Sequence, residues 1–233
     1  MQYLERGAGL AARMIVTIDG PAGTGKSTAA RGLAARLEFD FLDTGAMYRA
    51  VAWSCLQRGG DLHAGSAVAA VAQSIEISFE GSRTLIDGQD VSAEIRSPEA
   101  TQGASIVAQH PEVRAHLVER QRQLAASGNF VCEGRDQGTV AFPDAECKFF
   151  LTADPRERAL RRQQELAAKG ETASIESLLT EQTARDERDS SRAVAPLRPA
   201  EDAIVIDTTA MDSDAVIGLL ERLVRERMAH RDS

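Results

Sequence analysis

Short apolar runs that close on an acid or a glycine recur along this chain, and stretches of helical periodicity separate them. Residues 14–19 read MIVTID, a pattern that predicts a strand buried on both faces of a parallel sheet. After a glycine-rich turn, Ala30, Leu33, Ala34 and Leu37 fall at i, i+3, i+4, i+7 and predict a helix from about Lys26 to Leu37. FDFLDTG (39–45) predicts a second strand, and AMYRAVAWSCLQRG (46–59) a second helix stopped by Gly59 and Gly60. The period then changes to two. IEISFEGSRTLIDGQDV (75–91) predicts one or two hairpins, with turns at Glu80-Gly81 and Asp87-Gly88. Helical stretches follow near 98–109 and 111–127, split by Pro111 and ended by Gly128. The parallel pattern resumes with strands at FVCEG (130–134) and CKFFLTA (147–153). Asp154 and Pro155 suit the N-cap and first position of the next helix. Another helix spans about 174–192, AIVIDT (203–208) is the last strand, and the final helix begins at Asp212 with Val216, Leu219, Leu220, Leu223 and Val224 on one face.

Five short apolar strands interleaved with helices predict an α/β fold, a doubly wound five-stranded parallel sheet. The antiparallel interruption predicts an inserted subdomain at 61–127, so the core is assembled from 14–60, 128–154 and 173–233. The leading segment MQYLERGAGLAAR (1–13) has no long apolar stretch and carries Glu5, unlike a secretory signal; it reads as a dispensable extension, with Met14 as an alternative start.

Composition narrows the function. A net charge of -8 is a poor match to a general nucleic-acid binder, so any anion must meet a local cluster of positive charge. Lysine stands only at positions 26, 148 and 169, which makes a lysine inside a motif informative. Cys55, Cys132 and Cys147 form no CxxC and their odd number argues against a disulfide framework; buried thiols in a reducing cytoplasm are expected. His63, His110, His116 and His230 lack metal-ligand spacing. No apolar run approaches the ~20 residues that cross a bilayer, and no membrane partner is expected.

The first chemical motif is GPAGTGKS (20–27), which fits G-x-x-x-x-G-K-[ST] and lies between a strand and a helix, as a phosphate-binding loop requires. Gly20, Pro21, Ala22, Gly23, Thr24, Gly25, Lys26, Ser27 and Thr28 are its candidate nucleotide-binding residues. Inward N–H groups and the helix N-terminus attract phosphate, Lys26 reaches the β- and γ-phosphates, and the Ser27 hydroxyl suits Mg²⁺. No N-K-x-D tetrapeptide accompanies it, against a regulatory GTPase, and NFVCEGRD (129–136) only partly matches the acid-ended strand of an ATPase, at Glu133. A phosphotransferase with a second substrate pocket is left.

Three arginine clusters lie outside the loop: Arg49 in LDTGAMYR, Arg135 beside Asp136 in EGRDQG, and RDERDSSR (185–192). A mixed charge run is usually a solvated surface. On a helix, however, Arg185, Arg188 or Asp189, and Arg192 would share a face, with Asp186 and Glu187 pointing elsewhere, and such a stripe suits a polyanion.

TIDGPAGTGKST, DTGAMYR, GRDQGTVAFPDA and RDERDSSRAVAPL, in this order and with the insertion, together resemble the bacterial cytidylate kinases. The resemblance covers about Met14 to the last helix. It implies a P-loop nucleoside monophosphate kinase, with ATP and Mg²⁺ as cofactors, CMP or dCMP as acceptor, a monomer, and a mobile lid at 155–172. Carried over by position, Thr44 and Arg49 would flank the substrate phosphate. Ser105, Arg114 and Asp136 would meet cytosine. Arg135, Arg185 and Arg192 would hold the monophosphate, and Asp189 the ribose. Lys26, Arg135, Arg162 and Arg192 are the implied catalytic residues, Arg162 standing for a lid face shared with Arg158 and Arg161. Two alternatives stay open: a P-loop kinase for UMP or a non-nucleotide acceptor, and a non-catalytic nucleotide-binding switch. Trp53, Tyr48 and the phenylalanines read as core.

Overall fold

The computed structural model describes residues 13–168 and 170–231. The expectations for residues 1–12 lie outside that range. The main sheet has five parallel strands, β1 (Ile15–Asp19), β2 (Asp40–Asp43), β6 (Phe130–Glu133), β7 (Cys147–Thr152) and β8 (Ile204–Asp207), in the order β2-β6-β1-β7-β8. All five residues of β1 are buried, as its continuous apolar run requires of a central strand. Helices α1 (Lys26–Leu37) and α8 (Ser213–Arg231) cover one face. Val16 and Ile18 of β1 meet Ala30, Leu33, Leu220 and Val224 there. On the other face Ile15, Leu42 and Cys132 pack with Val118, Ala125 and Phe142. β8 is an edge strand, in which Ile204 and Val205 are exposed while Ile206 alone enters the core.

The interruption is a second small core. Strands β3 (Ile77–Glu80), β4 (Arg83–Ile86) and β5 (Gln89–Asp90) form an antiparallel sheet; Glu80 still pairs with Arg83, so the first turn is Gly81-Ser82, one residue after its expected place, and the second is Asp87-Gly88 as predicted. At the second, Asp87 and Gly88 both take positive φ, 52° and 81°, the conformation that a tight two-residue hairpin demands. Helices α3 (Gly65–Ser74), α4 (Pro98–Val107) and α5 (Pro111–Leu124) pack around it. So does α2 (Thr44–Gln57), whose Met47, Ala50 and Val51 join this core. α2 therefore runs from the main sheet into the insertion. Two antiparallel helices, α6 (Pro155–Ala167) and α7 (Ile175–Ser190), pack on each other between β7 and β8. α7 ends at Ser190, two residues before the expected end, so Arg192 lies past the helix.

The parallel register sets the carboxyl ends of three strands side by side. Asp43 pairs with Glu133 across β2 and β6, and Ile18, one residue before Asp19, pairs with Glu133 across β1 and β6. In an open α/β sheet this edge is where ligands bind.

Candidate active site

A cleft opens over that edge. Its lining includes Thr44 and Tyr48 from α2, Ser105 from α4, Arg114 from α5, Arg135 and Asp136 after β6, and Arg185, Asp189 and Arg192 from α7 and just beyond. Residues from 44 to 192 thus meet in one pocket, through five separate parts of the chain.

The cleft holds a buried ion pair. The Arg114 guanidinium donates through Nη2 to Asp136 Oδ2, and both side chains are about 95% buried. Arg114 also lies over the Tyr48 ring, 5.6 Å from its centroid. Tyr48 is buried, as read from the sequence, but it also lines the cleft; burial pushes its hydroxyl up to about 12. Arg114 engages one oxygen of Asp136, so Oδ1 keeps its capacity to accept. Ser105 nearby donates to the Gln102 carbonyl at 2.9 Å.

The same cleft holds a cluster of arginines around one acid. Arg135 Nε donates to Asp189 Oδ2 at 2.9 Å, and Arg192 Nε to the Asp189 carbonyl at 3.1 Å. Burial disfavours charge on Asp189, but Arg135, Arg185 and Arg192 outweigh it and hold the carboxyl below the usual range. Burial and the repulsion of Arg135 lower Arg185 to about 10. Arg185 Nε and Arg192 Nη2 are buried with no hydrogen-bond partner among the described residues. Three guanidiniums around one carboxylate leave positive charge uncompensated, a set that suits a polyanion. Arg49 is one helical turn from the cleft lining at Gly45, and its Nη2 pairs with Asp43 at 3.0 Å.

The phosphate loop adjoins this cluster. Gly20 follows β1 so closely under β7 that a Cβ would sit 2.1 Å from the Leu151 carbonyl oxygen. Gly25 caps α1 in the left-handed region (φ 86°), and nothing lies within 4 Å of the place its Cβ would take. Lys26 is buried and donates to the Pro21 carbonyl at 2.5 Å, a partner internal to the loop. Burial and the nearby Arg135 draw its ammonium well below the usual lysine range. Ser27 Oγ donates to Glu133 Oε2 at 2.8 Å, and Thr44 Oγ1 to the Glu133 carbonyl at 2.6 Å, so Glu133 ties the loop to the acceptor side. Burial raises the Glu133 carboxyl to about 7. A hydroxyl beside a carboxylate is a hard oxygen donor set, which fits Mg²⁺ shared with phosphate. Among the described residues no cluster of three His, Cys, Asp or Glu could hold a metal without such help.

The lid arginines separate. Arg158 is buried and donates to the Ala22 carbonyl at 3.1 Å and to Asp186 Oδ2 at 2.5 Å. Arg161 turns to Thr208, 2.6 Å from its carbonyl. Arg162 pairs with Glu165 on the surface and does not line the cleft. Asp186, expected to point away, accepts from the Ala22 N–H at 3.4 Å. Its register on α7 hid this, because α6 and the loop come to it by tertiary packing.

The family model for cytidylate kinase matches residues 16–226. The chain belongs to the cytidylate kinase family. It is 47% identical to a cytidylate kinase of Rhodopirellula baltica, over 91% of this chain and 93% of that protein. It is 49% identical to a cytidylate kinase of Pelotomaculum thermopropionicum, over 88% and 93%. A bifunctional pantoate ligase/cytidylate kinase of a Synechococcus strain is 47% identical over 92% of this chain, which spans 41% of that longer protein. The solved structure of an uncharacterized protein from Eubacterium ventriosum aligns with TM-score 0.50 at 12% identity, covering 91% of this chain and 99% of that one, a likeness of fold alone. The chain is accordingly a kinase, and its cleft is the candidate site of phosphoryl transfer. No helix among the described residues is long and apolar enough to cross a membrane.

Proposed function

We propose that this enzyme transfers the γ-phosphoryl group of ATP to the phosphate of CMP or dCMP, giving ADP and the diphosphate. The family and its named relatives support that reaction. The observation that carries the base assignment is the buried Arg114–Asp136 pair in the lining of the cleft. Cytosine offers an N4 amino donor beside two acceptors. Asp136 accepts from N4, as carboxylates do with this base, and Arg114 donates to N3 or O2. Uracil would set O4 against the carboxylate, leaving two buried acceptors unpaired, a strong basis for rejection.

In this reading Arg135, Arg185 and Arg192 hold the acceptor phosphate, with Thr44 and Arg49 on its flank and Asp189 toward the sugar. The buried unpartnered N–H groups of Arg49, Arg185 and Arg192 support the assignment. Gly20 to Thr28 cradle the ATP phosphates, Lys26 exchanging its carbonyl partner for phosphate oxygen. Ser27 would hold Mg²⁺, which when bound neutralises charge on the β- and γ-phosphates. The acceptor oxygen is already ionised near neutral pH, so no general base is required; alignment and charge compensation carry the rate. α6 with the following residues to 172 acts as the lid, and its closure excludes water. The free, buried cysteines suit a reducing cytoplasm.

A coupled ADP-release assay with CMP, dCMP, UMP, AMP and shikimate tests the reading. Release that depends on CMP and dCMP and is weak with the others is expected. Equal rates with UMP would remove the role given to Asp136.

A further inference from the structure

The turn that carries Asp136 begins like a helix without its own cap. Residues 137–141 form a π-type turn, in which Val140 N–H and Ala141 N–H donate to the Asp136 carbonyl at 2.9 and 3.2 Å. The first N–H groups of such a turn have no partner within it. An aspartate at the position before a helical turn ordinarily satisfies them with its own side chain. Asp136 occupies that position, yet it makes no capping bond, because its carboxylate is turned to Arg114.

The missing cap is supplied from 118 residues away. Gln137 N–H donates to Asp19 Oδ1 at 2.9 Å, and Gly138 N–H to Asp19 Oδ2 at 2.8 Å. Asp19 is 4% exposed, is the last residue of β1 and directly precedes Gly20 of the phosphate loop. Its backbone is fixed between β6 and β7, so both oxygens are held by the centre of the sheet. The approach is tight: a Cβ on Gly138 would lie 3.0 Å from Thr17 Oγ1 of the same strand.

We propose that Asp19 is a positioning residue for acceptor recognition: by capping the 137–141 turn in place of Asp136, it frees the Asp136 carboxylate to face the base. This rests on the assignment of Asp136 to cytosine made above. The sequence offers a competing arrangement, in which Asp136 folds back onto its own turn and leaves Arg114 without its partner. Two hydrogen bonds to Asp19 decide between the two. They also attach the base-reading turn to the strand that ends in the phosphate loop, so one carboxylate sets the distance between the donor and acceptor sites.

The test is the Asp19→Asn variant of the full chain. The amide offers one acceptor where two N–H groups converge and turns a donor toward the other. Its kcat/KM for CMP should fall roughly 10-fold or more, mostly through KM for CMP, while KM for ATP moves less than about threefold. The CMP-to-UMP preference should shrink in the same variant. Combining it with Asp136→Asn should cost that preference no more than Asp136→Asn alone, since both remove one arrangement. A folded Asp19→Asn enzyme whose CMP-to-UMP ratio stays within about twofold of wild type would overturn the proposal. Asp19→Ser, which adds no opposed donor, serves if the asparagine variant fails to fold. Amide exchange in the unmodified enzyme gives an independent reading. The Gln137 and Gly138 amides should be as protected as those of β1, and exchange as fast as the amide of the exposed Val194, which lies outside the helices and strands, would overturn the capping. A wild-type enzyme without preference for CMP over UMP would instead remove the base assignment, with amide exchange still judging the cap.

Discussion

Replacing Asp136 with asparagine isolates the base-reading contact, because the side chain keeps its shape and loses its charge. The structure sets two magnitudes. Arg114 and Asp136 are both about 95% buried, and removing one partner from such a pair leaves a buried charge uncompensated, at a cost of ~3 kcal/mol or somewhat more. The asparagine oxygen can still accept from Arg114, which favours the low end. For a domain of this size ~3 kcal/mol corresponds to a melting shift of about 6–12 °C. For recognition, the new amide can accept from cytosine N4 or, flipped, donate to uracil O4. Discrimination between the bases should therefore fall by ~1–3 kcal/mol, roughly 5- to 150-fold in the ratio of kcat/KM values for CMP and UMP. ADP release with each acceptor measures the ratio, and a thermal melt measures stability. A variant that melts at the wild-type temperature and keeps the wild-type ratio would refute both the buried pair and its role. Loss of stability with the ratio intact would leave the pair as structure only.

Other outcomes follow from the same geometry. Lys26→Ala should lower kcat by about 10²-fold or more with little change in fold, since its contacts are within the loop; near-normal turnover would contradict the phosphate assignment. Arg158→Ala should slow turnover far more than Arg162→Ala, because Arg158 touches the loop backbone and Arg162 only Glu165 at the surface; equal effects on kcat/KM for ATP would reject the distinction. Burial raises the Asp19 carboxyl from 3.8 to about 7, against the pull of its two N–H partners. Between those values the folded chain holds a proton that the unfolded chain has released, so stability should decline as pH rises from about 4 to about 7 and level off above. Glu133, raised to about 7 for the same reason, adds to the decline. Melting temperatures from pH 5 to 8 should therefore show a shallower slope in Asp19→Asn than in wild type, and identical slopes would refute the assignment.

The amino-acid sequence by itself determined the strands and helices of the core, because their signals are local. MIVTID is apolar enough to be buried on both faces, and Ala30, Leu33 and Ala34 recur at the helical period that α1 buries. Asp87-Gly88 dictates its hairpin turn through two positive φ values. The phosphate loop was legible for the same reason: its glycines, lysine and serine are contiguous, and its strand and helix flank it. The arginine clusters and Asp136 were visible as residue types and as a family resemblance, but not as a pocket. Only the tertiary structure brought residues 44–192 to one cleft, since their contacts depend on how α2, α4, α5 and α7 pack over the carboxyl edge of the sheet. It also sorted three arginines of one helix, sending Arg158 to the loop, Arg161 to Thr208 and Arg162 to the surface, although their spacing places them alike. Asp19 shows the division most sharply. In the sequence it merely ends an apolar run; in the fold its two oxygens meet N–H groups 118 and 119 residues away, a pairing that no local pattern encodes.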